Sequence, residues 1–485
     1  MSKSQALIEL RAELEKRRET SEDFNHIWEN EALPHLREII HTDYSISIQA
    51  EYGGSRIRRV VEVMTETEIP QEGNRKLTET VSKVFGENPS LKVEISFTVG
   101  NIKRSTCTED ECVPPGNPGH HFPLMIGDSV DYQGGTSAGT IGPALDCGGK
   151  TGCLVNYHLF EGAPQLNEVQ HDNEVPDCHL VHPASIDCAE GERPRIIGKL
   201  RAHSGFPIYK TQRHSGSLEK HFQLPRDQAK IQTDWAFCDL QTPLENRMRY
   251  SPSEREFQEH SGLIHRVYQG NPRLRIIRSS GRTSGIRYAV VCETPVAVRQ
   301  GGIETREWCL ENIPKLLSTD QWITGGVGIP GDSGAAIVDD KTRELVGQLW
   351  GRNVYEGDTN IQRITYFTHI ADIFDDIRER YPEIDEVKLA GAPSIPTSNL
   401  RTNGKTAHNK PKVTFKISQD GVQRSHLQAS EPIEHFLHPA TSKSSFTSST
   451  GSSATCIDPP CTSVEFRAMD KEMGIMQTSA PSTVT

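Results

Sequence analysis

The 485-residue chain has no uninterrupted apolar run long enough to cross a bilayer, which takes about 20 residues. Its opening, MSKSQALIELRAELEKRR, lacks the apolar stretch of a secretory signal. These absences lead us to expect an intracellular protein, of the cytoplasm or nucleus, with no membrane partner. An excess of basic charge is missing too: 53 Lys and Arg face 65 Asp and Glu, a formal net charge of −12. No basic stripe offsets that balance, so nucleic acid is not expected as a partner, because neutralising phosphates needs clustered positive charge. Eleven cysteines, an odd number, in a chain read as intracellular favour free thiols over a disulfide framework. Cys107 with Cys112, Cys147 with Cys153, and Cys178, His179, His182 with Cys188 lie close in sequence. Their spacings are not those of a zinc finger, so no metal or other cofactor is expected.

What the chain does have is Gly328–Val338, GIPGDSGAAIV, which sets one hydroxyl between glycines just ahead of an apolar strand. A serine hydroxyl becomes a useful nucleophile when a base takes its proton and amide N–H groups hold the charge that develops on the attacked carbonyl. Gly331 and Gly334 suit a tight turn with close substrate approach, so the amides of Gly331 and Ser333 are candidates for an oxyanion hole. On its own the motif is equally compatible with an unreactive Gly-Asp-Ser-Gly turn.

The GDSGA core resembles the nucleophile loop of trypsin-like serine peptidases, the chymotrypsin-fold PA clan. Two further segments resemble that family in its own chain order. Cys153–Phe160, CLVNYHLF, resembles the segment that carries the catalytic histidine, with Asn156 and Tyr157 in place of the usual small residues. Thr233–Leu240, TDWAFCDL, resembles the strand that carries the triad aspartate. The resemblance implies His158 as base, Asp234 as its orienter and Ser333 as nucleophile, with Asp239 a solvated charge at a strand end. Taken singly, His158 reads equally as a core histidine and Asp234 as a turn or strand cap.

LVGQLWGR at Leu345–Arg352 stands where the family has the strand that lines its primary pocket and pairs with substrate backbone, so Leu349, Trp350 and Gly351 are implied in substrate binding. Val327, six residues before Ser333, stands at the specificity position and implies a small or apolar preference. RSSGRTSGI at Arg278–Ile286 resembles a hairpin of the second barrel in bacterial and viral-like members. The chain also departs from the secreted trypsins. No IVGG start precedes the first barrel, so Asp332 needs a partner other than a new N-terminal amine, and cleavage of the trypsin kind is not expected to activate the chain.

The expected fold is mainly β: a chymotrypsin-like double β-barrel over 124–385, ahead of it an α+β module over 1–105 and a linker over 106–123, and after it a disordered tail over 386–485. Short β-prone runs between turns support the barrels. Apolar positions Ile370, Ile373, Phe374 and Ile377 share one face of a helix that Pro382 follows. TSKSSFTSSTGSSAT at Thr441–Thr455 has too little apolar surface to offset ordering entropy. Glu161–Pro194 reads as a surface insertion. The expected activity is a serine endopeptidase acting on protein or peptide substrates. Two other readings exist: an inactive protease fold that binds peptides, and an esterase using Ser137 of GTSAG as a nucleophile elbow.

Overall fold

In the computed structural model of the protein, the described residues are 3–53, 56–86, 91, 93–108, 113–165, 175–205, 212–249, 262–313, 316–356 and 364–391. The Thr441–Thr455 stretch expected to be disordered lies outside them, as does Cys112.

The β-branched and aromatic runs of the C-terminal half form a closed barrel. The Ile276–Gly281 strand pairs with Gly285–Val291 across the GRTSG turn, with Gly281 opposite Gly285. Gly285–Val291 then pairs with Ile303–Glu311, which pairs with Thr365–His369, and the circuit returns through Leu345–Tyr355 and Ala336–Asp339 to the first strand. All six contacts are antiparallel, so no ladder edge of this ring is left open.

A nine-stranded antiparallel sheet holds the first barrel. Its central order runs from Lys150–Val155 through Ala236–Leu240, Arg195–His203, His179–His182 and Ser129–Tyr132 to Ser137–Thr140. Just past the last strand, the Gly142 amide donates to the Leu154 carbonyl at 2.9 Å and the Leu154 amide to the Pro143 carbonyl at 3.0 Å, which joins the two ends. The Glu161–Pro194 insertion is therefore only partly an excursion. Its His179–His182 strand is a stave of the barrel because Leu180, Val181 and His182 are all buried. The Val387–Leu389 strand, past the boundary drawn at residue 385, pairs with Ala144–Cys147.

The N-terminal α+β elements share their sheet with the second barrel. Tyr44–Gly53 pairs with Arg56–Thr65 on one side and Val296–Gln300 on the other. Arg56–Thr65 runs parallel to Val93–Arg104 through a crossover that contains the Gln71–Phe85 helix. Val93–Arg104 then pairs antiparallel with Leu345–Tyr355, Gly351 opposite Arg104. Residues Phe24, Trp28, Ile46, Ile48, Val61, Leu77 and Phe85 bury the helical side of this layer. The opposite face carries a buried polar set, in which Glu62 accepts from Ser47 and Gln49 and Ser45 bonds to Tyr366.

The C-terminal helix spans Ile370–Arg380, and Ile370, Ile373 and Ile377 are fully buried against Trp235, Leu145 and Val338. His369 caps it by accepting from the Ala371 amide at 3.2 Å. Cys147, Cys153, Cys178, Cys188, Cys238, Cys292 and Cys309 are free, whereas Cys107 is disulfide-bonded, a departure from the all-thiol expectation.

Candidate active site

Strand register brings His158 and Asp234 together. Ala236 lies opposite Val155, so the residues just before one strand and just after the other meet at the same barrel end. His158 sits in the short 3-10 turn Tyr157–Phe160, with Tyr157 stacked on His203 at a centroid distance of 4.3 Å. Asp234 Oδ1 accepts the His158 backbone amide at 3.0 Å, and Asp234 Oδ2 contacts His158 Nδ1. Both side chains are only 1% exposed. Burial pushes the Asp234 carboxyl up, but His158 and the Arg104 guanidinium outweigh it and hold it at about 2. An ionised carboxylate only accepts, so the Nδ1 of a neutral His158 carries the proton and Nε2 is left as acceptor.

Ser333 meets that acceptor. Its Oγ lies 2.6 Å from His158 Nε2, across 175 residues of sequence. The turn that presents it needs positive φ at Gly331 and Gly334, both near +97°, and a Cβ on Gly334 would lie 2.2 Å from the Thr140 carbonyl oxygen. Asp332 points inward and accepts from the amides of Gly328 at 3.0 Å, Thr283 at 3.2 Å and Ser284 at 3.0 Å. Backbone amides of the GRTSG turn thus fill the role that the sequence left open for an Asp332 partner. Burial raises the Asp332 carboxyl, and these amides pull it back.

The amides of Gly331 and Ser333 converge on one oxygen, the Ser105 carbonyl, at 2.6 and 3.1 Å. Of the implied substrate-binding residues, Trp350 accepts from the Ser105 amide through its carbonyl at 3.1 Å and stacks on Tyr366 at 5.0 Å. Gly351 lies opposite Arg104, so close that an added Cβ would be 2.9 Å from the Lys103 carbonyl oxygen. Leu349 and Val327 are buried in an apolar cluster with Trp308 and Phe367, and the Leu349 carbonyl accepts the Gly334 amide at 3.0 Å. Asp239 is partly exposed beside Arg201, in keeping with a strand-end charge.

Three participants escaped the sequence reading. Asn156 Oδ1 lies 3.1 Å from Ser333 Oγ, and its Nδ2 donates to the Asp234 carbonyl at 2.6 Å. Arg104 reaches the Asp234 carboxylate and lies over the Trp350 ring at 5.3 Å. Ser105 is the third. The unusual Asn156 beside His158 was visible as a departure from the family pattern, whereas nothing in KRSTC marks Arg104 or Ser105. Ser137 lies within a strand, its Oγ donating to Asp131 at 3.0 Å, and not on the strand-to-helix turn of a nucleophile elbow. Among the described residues no group of three His, Cys, Asp or Glu side chains is placed to hold a metal ion.

No family model matches the sequence, and no curated protein matches it. Solved structures resemble it only loosely. Thermobifida fusca protease A aligns over 55% of this chain and 97% of its own, at 13% identity and a TM-score of 0.30. A glutamic-acid-specific serine protease that uses a histidine triad in substrate binding aligns over 55% and 100%, at 12% identity and a TM-score of 0.33. Nocardiopsis protease covers 55% and 98%, at 14% identity and a TM-score of 0.31. All three are serine proteases; the barrels and the site of this chain stand on its own strand pairing and side-chain geometry.

Proposed function

We propose that the protein is a serine endopeptidase that cuts protein or peptide substrates. His158 takes the proton of Ser333 as its Oγ attacks the substrate carbonyl, and Asp234 holds the imidazole in the required tautomer and stabilises its cation. The Gly331 and Ser333 amides receive the oxyanion. The protonated imidazole then passes its proton to the departing amine, and water attacks the acyl-enzyme through the same histidine.

The observation that carries this reading is the pairing of a hydroxyl–imidazole contact with two neighbouring amides that share one acceptor: Ser333 Oγ is 2.6 Å from His158 Nε2, and the Gly331 and Ser333 amides both donate to Ser105 O. Isolated turn serines lack a paired base and a paired amide site. Trp350 and Gly351 present the backbone groups against which an extended substrate pairs.

A fluorophosphonate probe on wild type, Ser333→Ala and Ser137→Ala tests the assignment. Labelling abolished in Ser333→Ala and retained in Ser137→Ala is expected. Labelling abolished only in Ser137→Ala assigns the chemistry to the other serine, and a wild type that stays unlabelled once the Ser105 carbonyl has been displaced from the two amides describes a peptide-binding module without catalysis.

A further inference from the structure

The cleft between the barrels is filled by the chain itself. Residues 100–104 pair antiparallel with Leu345–Tyr355 of the second barrel, from Gly100 opposite Tyr355 to Arg104 opposite Gly351. Two residues after Ser105, Cys107 and Thr108 pair with Ala138 and Ser137 of the first barrel. The segment therefore changes sheets at the Ser105–Thr106 peptide. That crossing is where His158 from one barrel meets Ser333 from the other.

A connection that only bridged two barrels would have no reason to bring a particular carbonyl to the catalytic groups. Here the Ser105 carbonyl takes both oxyanion amides, at 2.6 and 3.1 Å, and the Ser105 amide donates to Trp350 O at 3.1 Å. Ser105 is 2% exposed, and its Oγ donates to the Gly328 carbonyl at 2.8 Å. Arg104, one residue earlier, reaches the carboxylate that orients the imidazole. Backbone donors and acceptors on both sides of one peptide bond are thus engaged as an extended substrate engages them.

We propose that residues 100–108 lie in the cleft as the protein's own substrate, and that the Ser105–Thr106 bond is a self-cleavage site. This deepens the peptidase reading and rests on it. Ser333 Oγ bonds to the Ser105 carbonyl carbon while its proton passes to His158. The C–N bond to Thr106 then breaks, and His158 delivers the proton to the new Thr106 amine. Water adds to the ester and gives one proton to His158; the bond from the Ser105 carbonyl carbon to Ser333 Oγ breaks, His158 returns that proton to Ser333 Oγ, and the new Ser105 carboxyl loses its own proton to solvent. No oxidant or cofactor enters, and water is the co-reactant. The residue before the cut is then Ser105, whose side chain is small and hydroxyl-bearing.

The full chain is made in parallel as wild type, Ser333→Ala and Ser105→Pro, then followed by intact mass and N-terminal sequencing, with fluorophosphonate labelling as an independent readout. Ser105→Pro removes the N–H that bonds Trp350 and so loosens the segment as well as blocking the cut. The expected result is a new N-terminus at Thr106 in wild type, forming at a first-order rate unchanged by tenfold dilution, with Ser333→Ala intact. A wild type that stays whole at this bond, while Ser333 takes the probe in wild type or Ser105→Pro, overturns self-cleavage and leaves the peptidase standing. Absence of both cleavage and labelling in all three removes the peptidase reading and this proposal together. A Thr106 terminus in Ser333→Ala, or a rate that falls on dilution, also overturns cleavage of the chain by its own triad.

Discussion

Asn156 Oδ1 lies 3.1 Å from the Ser333 hydroxyl, which also makes the 2.6 Å contact with His158 Nε2. A serine has one proton and here faces two acceptors. The amide orientation of Asn156 is set by its other end, whose Nδ2 donates to the Asp234 carbonyl. Asn156 therefore competes with His158 Nε2 for the Ser333 proton, which the proposed mechanism moves to His158.

Replacing Asn156 with Ala removes the competitor. A hydrogen bond of this kind contributes about 1 kcal/mol, so fluorophosphonate labelling of Ser333 is expected to speed up by about 5-fold. The second-order labelling rate checks this. A tenfold fall would instead mean that Asn156 positions the hydroxyl.

Asp332 holds three backbone amides, those of Gly328, Thr283 and Ser284, and is fully buried. Asp332→Ala leaves these donors without their acceptor, at about 1–3 kcal/mol for each unsatisfied group. We expect a loss of several kcal/mol in urea unfolding and, in the variant that still folds at low temperature, a loss of labelling at Ser333. Asp332→Asn keeps one acceptor oxygen and should fall between the two.

Glu62 predicts a pH effect unconnected with the triad. Burial raises its carboxyl to about 7, against the pull of hydrogen bonds from Tyr355, Ser47, Thr98 and Gln49. With the folded value above the ordinary 4.5, the native state binds more protons than the unfolded chain between those values, so stability falls as pH rises from about 4.5 to about 7 and levels off above. The size is about 3 kcal/mol at most, at 1.36 kcal/mol per unit. Urea midpoints at pH 5 and pH 8 check this: Glu62→Gln should narrow the difference by gaining on wild type at pH 8, while the buried carboxyls of Asp131 and Glu307, also raised to about 7, keep part of it.

Arg17, on the Lys3–Glu19 helix, is buried with its Nε 2.9 Å from Glu293 and one terminal nitrogen 2.6 Å from Glu311. Arg59 adds a second cation to Glu293 at 2.8 Å. Arg17→Met leaves buried carboxylate charge under-compensated, which costs about 3–5 kcal/mol. Thermal or urea unfolding should show that loss. If the chain is cut at Ser105 as proposed, the same substitution should let the N-terminal piece separate from the barrels at lower urea than in wild type.

Much of the fold and part of the site could be read from local pattern. The glycines around Ser333 mark a turn because few other residues tolerate φ near +97°. Ile370, Ile373, Phe374 and Ile377 mark a buried helical face because their spacing matches the helical repeat. The β, β, α, β order of the N-terminal part was legible for the same reason. Its membership in a common sheet with Leu345–Tyr355 was not, because strand partners far apart in sequence leave no periodic trace. Glu161–Pro194 looked like a loop because its polar residues mask Leu180 and Val181, which tertiary packing turns into a barrel stave.

Local sequence decides which side chains are candidates for chemistry: a hydroxyl between glycines, an imidazole and a carboxylate beside apolar runs, each a property of a few neighbouring residues. Their surroundings are settled by the folded chain alone. The amide cage of Asp332, the Asn156 contact with Ser333 and the Ser105 carbonyl in the oxyanion site join positions scores to hundreds of residues apart. Two of those three rely on backbone groups, which every residue carries and no residue type announces, so they come into being only when strands pair and turns close.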